Sequence, residues 1–346
     1  MPSDPRQPTI VLRADAGPSI GYGHLVRTLA LENALSARGA RCVLVTRPPP
    51  GGFVLAVPSD RLDLPSDLPD SEEGPFLRRT VVRADWLVAD LFGVDSDRLS
   101  CLSGPWRLAA IDDEGVDLAG VDLVVCPSVG VTPRSAVARA PNTLAGAAHL
   151  LLRAPFAHPP ARSIEAEIRS VVVCLGGGDS HRIVRKLVGE LARTLPPSVT
   201  CLSVIASGVE SADLTQPRSG SLRVRHGLDA TELAFEMRRA DLGVFAAGTL
   251  LYEAAALGLP SVWIGLNAAQ AREAHTMERL GAGVYAGDAD RLDETRLAAS
   301  FTRLESVEAR RMAAKRAQVV VDGRGCERVA AHLLANVAQG SNGRAS

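Results

Sequence analysis

The sequence predicts an α/β protein of two similar halves, each a parallel sheet covered by helices. Three observations predict it. Its strand-like segments are continuous Val, Leu and Ile runs without polar alternation, the pattern of strands buried on both faces. Strand-like and helix-like segments alternate along the chain. After the proline-rich stretch 151–160 the same rhythm starts again, with a strand, a glycine turn and a helix.

In the first half the spacing predicts strands at 9–12, 41–45, 86–89, 108–111 and 123–126, and helices over 24–38 and 95–102. The prolines of Leu151–Pro160 predict an extended linker. The second half reads as strand 170–174, a turn at Gly176–Asp179, and a helix to about 195. Strands at 200–205 and 222–224, helix 230–239, strand 242–245, helix 249–257 and strand 261–265 follow. A helix runs from about 270 to 280, and a helical stretch from 304 to about 337 breaks near Gly323–Gly325. The expected domains are therefore 1–152, a linker 153–162, and 163–346.

The 346 residues suffice for two domains of ordinary size. With 46% hydrophobic and 22% charged residues, the chain is core-forming. A formal net charge of −1 and the lack of a long basic run argue against a nucleic-acid partner. No apolar stretch reaches the ~18–20 residues of a membrane helix, and the first residues lack the apolar core of a signal peptide. The expectation is a cytoplasmic protein without membrane insertion. The cysteines, Cys42, Cys101, Cys126, Cys174, Cys201 and Cys326, are scattered without zinc spacing and read as buried free thiols. No metal and no cofactor is expected.

The most informative segment is Ile10–Arg27, in which an apolar strand enters a glycine-rich turn with Gly17, Gly21 and Gly23, and a helix starts with His24 in its first turn. Glycines let backbone approach a ligand closely. A helix N-terminus offers N–H groups and a positive dipole end to an anion. An imidazole there, which titrates near neutral pH, is a candidate base. Asp15 is a nearby acid, Tyr22 a candidate flank for a sugar, and Arg27, one turn beyond His24, a candidate phosphate contact. Such a turn also occurs as a plain strand–helix connection.

A second constellation is Phe245–Trp263. It reads strand, small-residue turn (Ala247, Gly248, Thr249), helix, Gly258-Pro260 stop and strand. The turn leaves room for a phosphate at a helix N-terminus. Glu253, about one helical turn deeper, is a candidate acceptor for ribose hydroxyls. Ligands in such sheets bind beyond the carboxyl ends of the strands, so two facing halves would place the site in the cleft between them.

These segments resemble the GT-B nucleotide-sugar superfamily over nearly the whole chain. Within it, the chain is most similar to the UDP-sugar hydrolases of the pseudaminic-acid pathway and to spore-coat polysaccharide glycosyltransferase-like proteins. The resemblance rests on Arg13-Ala-Asp15 with Ile20–His24, on Asp90–Gly93 and Ile111–Asp113, and on Leu175–Asp179 and Ala247–Thr249 with Glu253.

The resemblance implies an enzyme acting on a nucleotide-sugar, with two Rossmann-like domains facing across a cleft. It makes His24 the catalytic base, with Asp15 beside it and Gly21 and Gly23 shaping the loop. Gly177, Gly178, Gly248 and Thr249 become the diphosphate cradle and Glu253 the ribose acid. His226, Gly227 and Leu228 would flank the nucleobase, and Gln270 would bind substrate.

Two departures bear on the reaction. Phe92 stands where the hydrolases carry tyrosine, and their Asn-Gln pair here ends Ala269-Gln270. A less polar acceptor side favours an inverting glycosyl transfer to a small or carbohydrate acceptor. Hydrolysis of the donor, with water as acceptor, is the alternative. A nucleotide-sugar binder without activity and a nicotinamide dehydrogenase are weaker readings: a pure binder needs no base, and the first turn lacks a regular Gly-x-Gly-x-x-Gly.

Overall fold

The computed structural model describes residues 7–17, 20–48, 60–81, 83–116, 118–130, 142–176 and 181–340, the last three without their side chains. The chain divides into two compact units, residues 1–153 with 324–346, and residues 154–323.

The first unit holds a seven-stranded sheet: β1 (Thr9–Ala14), β2 (Arg41–Thr46), β3 (Arg61–Asp63), β4 (Trp86–Asp90), β5 (Arg107–Ile111), β6 (Leu123–Cys126) and β7 (Thr143–Ala145). Its order is β3-β2-β1-β4-β5-β6-β7, and every pairing is parallel. Helices α1 (Gly23–Ser36), α2 (Asp70–Thr80), α3 (Ser96–Ser100) and α10 (Gly325–Gly340) belong to this unit.

Burial explains why the unit forms. Ile10, Leu12, Leu31, Leu35, Leu44 and Leu123 are completely buried in one core cluster. Val11, Val45, Leu87, Ala89 and Leu99 lie in another. Successive residues of β1 thus serve opposite clusters, as the period-2 alternation of a strand requires.

The second unit is a six-stranded parallel sheet: β8 (Ser170–Cys174), β9 (Cys201–Ile205), β10 (Ser221–Arg225), β11 (Leu242–Ala246), β12 (Ser261–Gly265) and β13 (Val284–Asp288), in the order β10-β9-β8-β11-β12-β13. Around it lie α4 (His181–Thr194), α5 (Ala230–Arg239), α6 (Thr249–Ala256), α7 (Ala268–Arg279), α8 (Glu294–Thr302) and α9 (Val307–Val320). Every residue of α6 after Thr249 is buried. Its alanines suit a helix enclosed on all sides.

The predicted elements are present, with ends shifted by a few residues. The predicted domain limits differ at two places. Residues 324–346 group with the first unit, because Val329, Ala330 and Leu333 of α10 are completely buried in its core and α10 packs on α1. Residues 154–162 of the expected extended linker group with the second unit. Arg162 donates from Nη1 to Met237 O (3.2 Å) and from Nη2 to Ala240 O, fastening them to the end of α5. All six cysteines are free, as read from the sequence. Cys101 and Cys201 are only half-buried.

Candidate functional site

In each sheet the strand order reverses between the first strand of the unit and the fourth. Loops leaving the carboxyl ends on either side of that point diverge and leave a crevice, where ligands of such sheets bind. In the first unit the strands are β1 and β4, with Ala14 paired to Asp90. In the second they are β8 and β11, with Cys174 paired to Phe245. The segments singled out from the sequence leave these four strands.

The turn after β1 is closed by two backbone hydrogen bonds, Gly17 N to Gly21 O (3.0 Å) and Gly21 N to Gly17 O (2.7 Å). Gly21 has φ +77°, a left-handed conformation that glycine adopts without steric cost. Tyr22 is the N-cap of α1 and makes no side-chain cap, and no acidic residue stands in the first turn. His24 follows at once, its side chain 18% exposed.

The acid that meets His24 is Asp90, the last residue of β4. Its Oδ1 lies 2.7 Å from His24 Nδ1, and its carboxylate is fully buried. Arg27 grips the same carboxylate side-on, Nε to Oδ2 at 2.7 Å and Nη2 to Oδ1 at 2.6 Å, and Thr28 Oγ1 donates to Oδ2 at 3.1 Å. Burial works against this charge. The Arg27 cation and the hydrogen bonds from Arg27 and His24 outweigh it and hold the Asp90 carboxyl at about 2. An ionised Asp90 can only accept, so it pairs with a hydrogen on Nδ1, and in the Nδ1–H tautomer the free lone pair is on Nε2.

Asp15 is placed differently from the expectation. Arg13 donates to it bidentately at 2.6 and 2.8 Å, and the Arg47 backbone N–H donates at 2.9 Å. These bonds outweigh burial and hold its carboxyl below the usual range. Arg13 is fully buried and also bonds Glu73 of α2, which accepts from Arg47 and Arg98 as well. Asp15 therefore ties β1 to β2 and α2. The acid that orients His24 comes from a different strand.

Arg27, expected as a ligand contact, is committed to Asp90 and Asp113; its side chain is 14% exposed. Phe92 is 67% exposed, and its ring stands edge-on to the His24 ring with centroids 6.2 Å apart.

In the second unit, Gly177 and Gly178 lie outside the described residues. Gly248 and Thr249 form the turn into α6, which has no side-chain cap. Gln270 lies against this turn: its Nε2 is 3.4 Å from the point a Gly248 β-carbon would occupy, and its Oε1 accepts from Leu266 N at 3.1 Å. Asn267 caps α7 by accepting from Gln270 N at 2.9 Å. Its amide oxygen is thus engaged at its own helix. Glu253 is completely buried inside α6 rather than presented at the surface. Gly227 is exposed beside half-buried Leu228, and His226 Nδ1 lies 2.6 Å from Ala206 O.

Two parallel sheets with these switch-point loops have the GT-B architecture of two Rossmann-like domains. No family model matches the chain. It is similar to the spore coat polysaccharide biosynthesis protein SpsG of Bacillus subtilis (strain 168), with 23% identity over 334 residues, covering 92% of this chain and 96% of that protein. Among solved structures it is similar to Acinetobacter baumannii MurG, with a TM-score of 0.65 and 15% identity over 95% of this chain and all of that one. The calicheamicin glycosyltransferase CalG4 gives a TM-score of 0.62 and 16% identity, covering 96% of this chain and 99% of that one. The spinosyn rhamnosyltransferase SpnG, complexed with thymidine diphosphate, also gives 0.62, with 17% identity, covering 96% and 100%. At these identities the structural likeness establishes the fold. Among the described residues no helix is long and apolar enough to cross a membrane.

Proposed function

We propose that the protein is an inverting glycosyltransferase that moves a sugar from a nucleoside-diphosphate donor to a hydroxyl of a small or carbohydrate acceptor. The observation that carries the reading is the 2.7 Å contact between His24 Nδ1 and the ionised Asp90, which leaves His24 Nε2 as a base at a helix N-terminus.

In the reaction, Nε2 takes the proton of the acceptor hydroxyl as its oxygen attacks the anomeric carbon. The bond from that carbon to the diphosphate oxygen breaks, and the nucleoside diphosphate leaves with the electron pair. Attack opposite the leaving group inverts the configuration. General-base catalysis of this kind typically contributes ~10²–10⁴-fold. The second unit supplies the donor's contacts: backbone N–H groups at Gly248 and Thr249 meet the growing diphosphate charge, with Gln270 beside them and Gly227 and Leu228 toward the base. A ribose role for Glu253 requires its buried side chain to swing outward when the donor binds.

The relatives support the reading by their names: one acts in spore coat polysaccharide biosynthesis, two are glycosyltransferases, and one of these was solved with thymidine diphosphate. The test incubates the protein with UDP-, ADP-, GDP-, CMP- and TDP-sugars, with and without cell extract as acceptor source, and follows the products by mass spectrometry. Acceptor-dependent release of nucleotide, lost in His24→Ala while donor binding persists, is the expected result. Unchanged turnover in that variant removes His24 as the base. Free sugar released without acceptor makes the protein a hydrolase.

A further inference from the structure

Asp90 is held by more than His24. Arg27 Nη1 donates at 2.5 Å to Asp113 Oδ2, while its Nε and Nη2 hold both oxygens of Asp90. Asp113, two residues beyond β5, is fixed by its neighbour. Asp112 is 3% exposed, accepts from Glu114 N and Val116 N, both at 2.9 Å, and donates its own N–H to Val125 O. A clamped loop thus delivers a carboxylate, 43% exposed, to the outer end of Arg27.

We propose that Arg27 and Asp113 are positioning residues for His24: they hold Asp90 in the orientation in which its Oδ1 accepts a hydrogen bond from Nδ1–H and Nε2 is left as the nitrogen with a free lone pair. The proposal rests on the reading of His24 as the base. Arg27 Nη2 also lies 3.1 Å from His24 Nδ1. A guanidinium only donates, so it competes with Asp90 for that nitrogen. Asp90 wins as an anion because a carboxylate accepts the ring N–H while Arg27 neutralises its charge. Asp113 adds a third anchor, at Nη1, to the two bonds by which the guanidinium holds the Asp90 carboxylate. Asp113 therefore reaches His24 through two intervening groups and touches no reacting atom.

The test is ¹⁵N–¹H correlation of the imidazole nitrogens in the full-length protein at about pH 8, where an ordinary imidazole is neutral. No donor or acceptor is present. His24 in the unaltered protein is expected as the Nδ1–H tautomer alone. Arg27→Gln and Asp113→Ala are expected to give mixed tautomers, and Asp113→Glu to restore the single one. Unaltered His24 ring shifts in both disrupting variants overturn the proposal. If Arg27→Gln does not fold, Asp113→Ala at the partly exposed end decides alone. Expected spectra together with no transfer from any donor would defeat the proposed function and leave the positioning role standing.

Discussion

Gln270 closes over Gly248: its Nε2 stands 3.4 Å from the place where a β-carbon on that glycine would be. The contact joins the first turn of α7 to the turn after β11, and Gly248 is the residue that leaves room for the amide. Gly248 has φ −94°, outside the left-handed region, and a β-carbon there would stand in van der Waals contact with Gln270. Gly248→Ala is expected to fold with little change in Tm, whereas Gly248→Leu displaces Gln270 and fills the turn. Nucleoside-diphosphate affinity, measured by calorimetry with UDP, dTDP, GDP and ADP, is expected to fall at least tenfold in the leucine variant, about 1.4 kcal/mol. Equal affinity in both variants removes this turn from the donor site.

The Asp90 carboxyl gives the protein an acid-sensitive element. Its folded-state value of about 2 lies below the ~3.9 of an unfolded aspartate, so its stabilisation is complete above the unfolded value and disappears as pH falls through the folded one. The size is on the order of 2 kcal/mol. Asp15 and Glu73, both held low by arginines, act in the same direction. Urea unfolding between about pH 6 and pH 2.5 is the measurement. Asp90→Asn is expected to be the less stable protein at pH 6, with the gap narrowing as the pH drops below about 4. A gap independent of pH shows that the charge of Asp90 contributes nothing.

Trp86 Nε1 donates to Leu333 O at 3.1 Å, linking β4 to α10 across 247 positions of sequence. Leu333 is completely buried among Ile10, Leu31, Leu35 and Trp86. Leu333→Ala is expected to cost ~2–5 kcal/mol, the usual range for a buried leucine truncated to alanine. Hydrogen exchange resolves where. Protection should fall in β1, β4 and α1 and remain in β8, β11 and β12. Equal loss in both sheets contradicts the division of the chain into these units.

The buried parallel strands were legible in the sequence because burial on both faces leaves an uninterrupted apolar run. β3 was not, since Arg61–Asp63 is a short edge strand with its charged ends exposed. β13 was missed because Val284–Asp288 carries Gly287 at φ +114°, beside a register shift in its pairing with β12. α2 was missed as well, since Gly74 and Pro75 lie inside it, and its Glu73 is completely buried among three arginines.

His24 was visible from its glycine turn. Its partner was not, although Asp90 stood in a segment that carried the resemblance. Linking them requires β1 to pair with β4 in the register that sets Ala14 beside Asp90, a relation across 66 positions between His24 and its acid. Asp15 was nearer in sequence but is turned toward Arg13.

The return of the chain to its first unit also orders its birth. Residues 154–323 form one continuous stretch and are complete as soon as residue 323 has emerged. The unit begun first stays open until Val329 and Leu333 arrive to cover Ile10 and Leu31. During synthesis at ~5–20 residues per second, the nascent β1–β7 region waits with an apolar face uncovered while some 170 residues are added behind it. The β1–β7 sheet is therefore the one whose apolar face stays uncovered longest, and the second sheet is the first to become a finished domain.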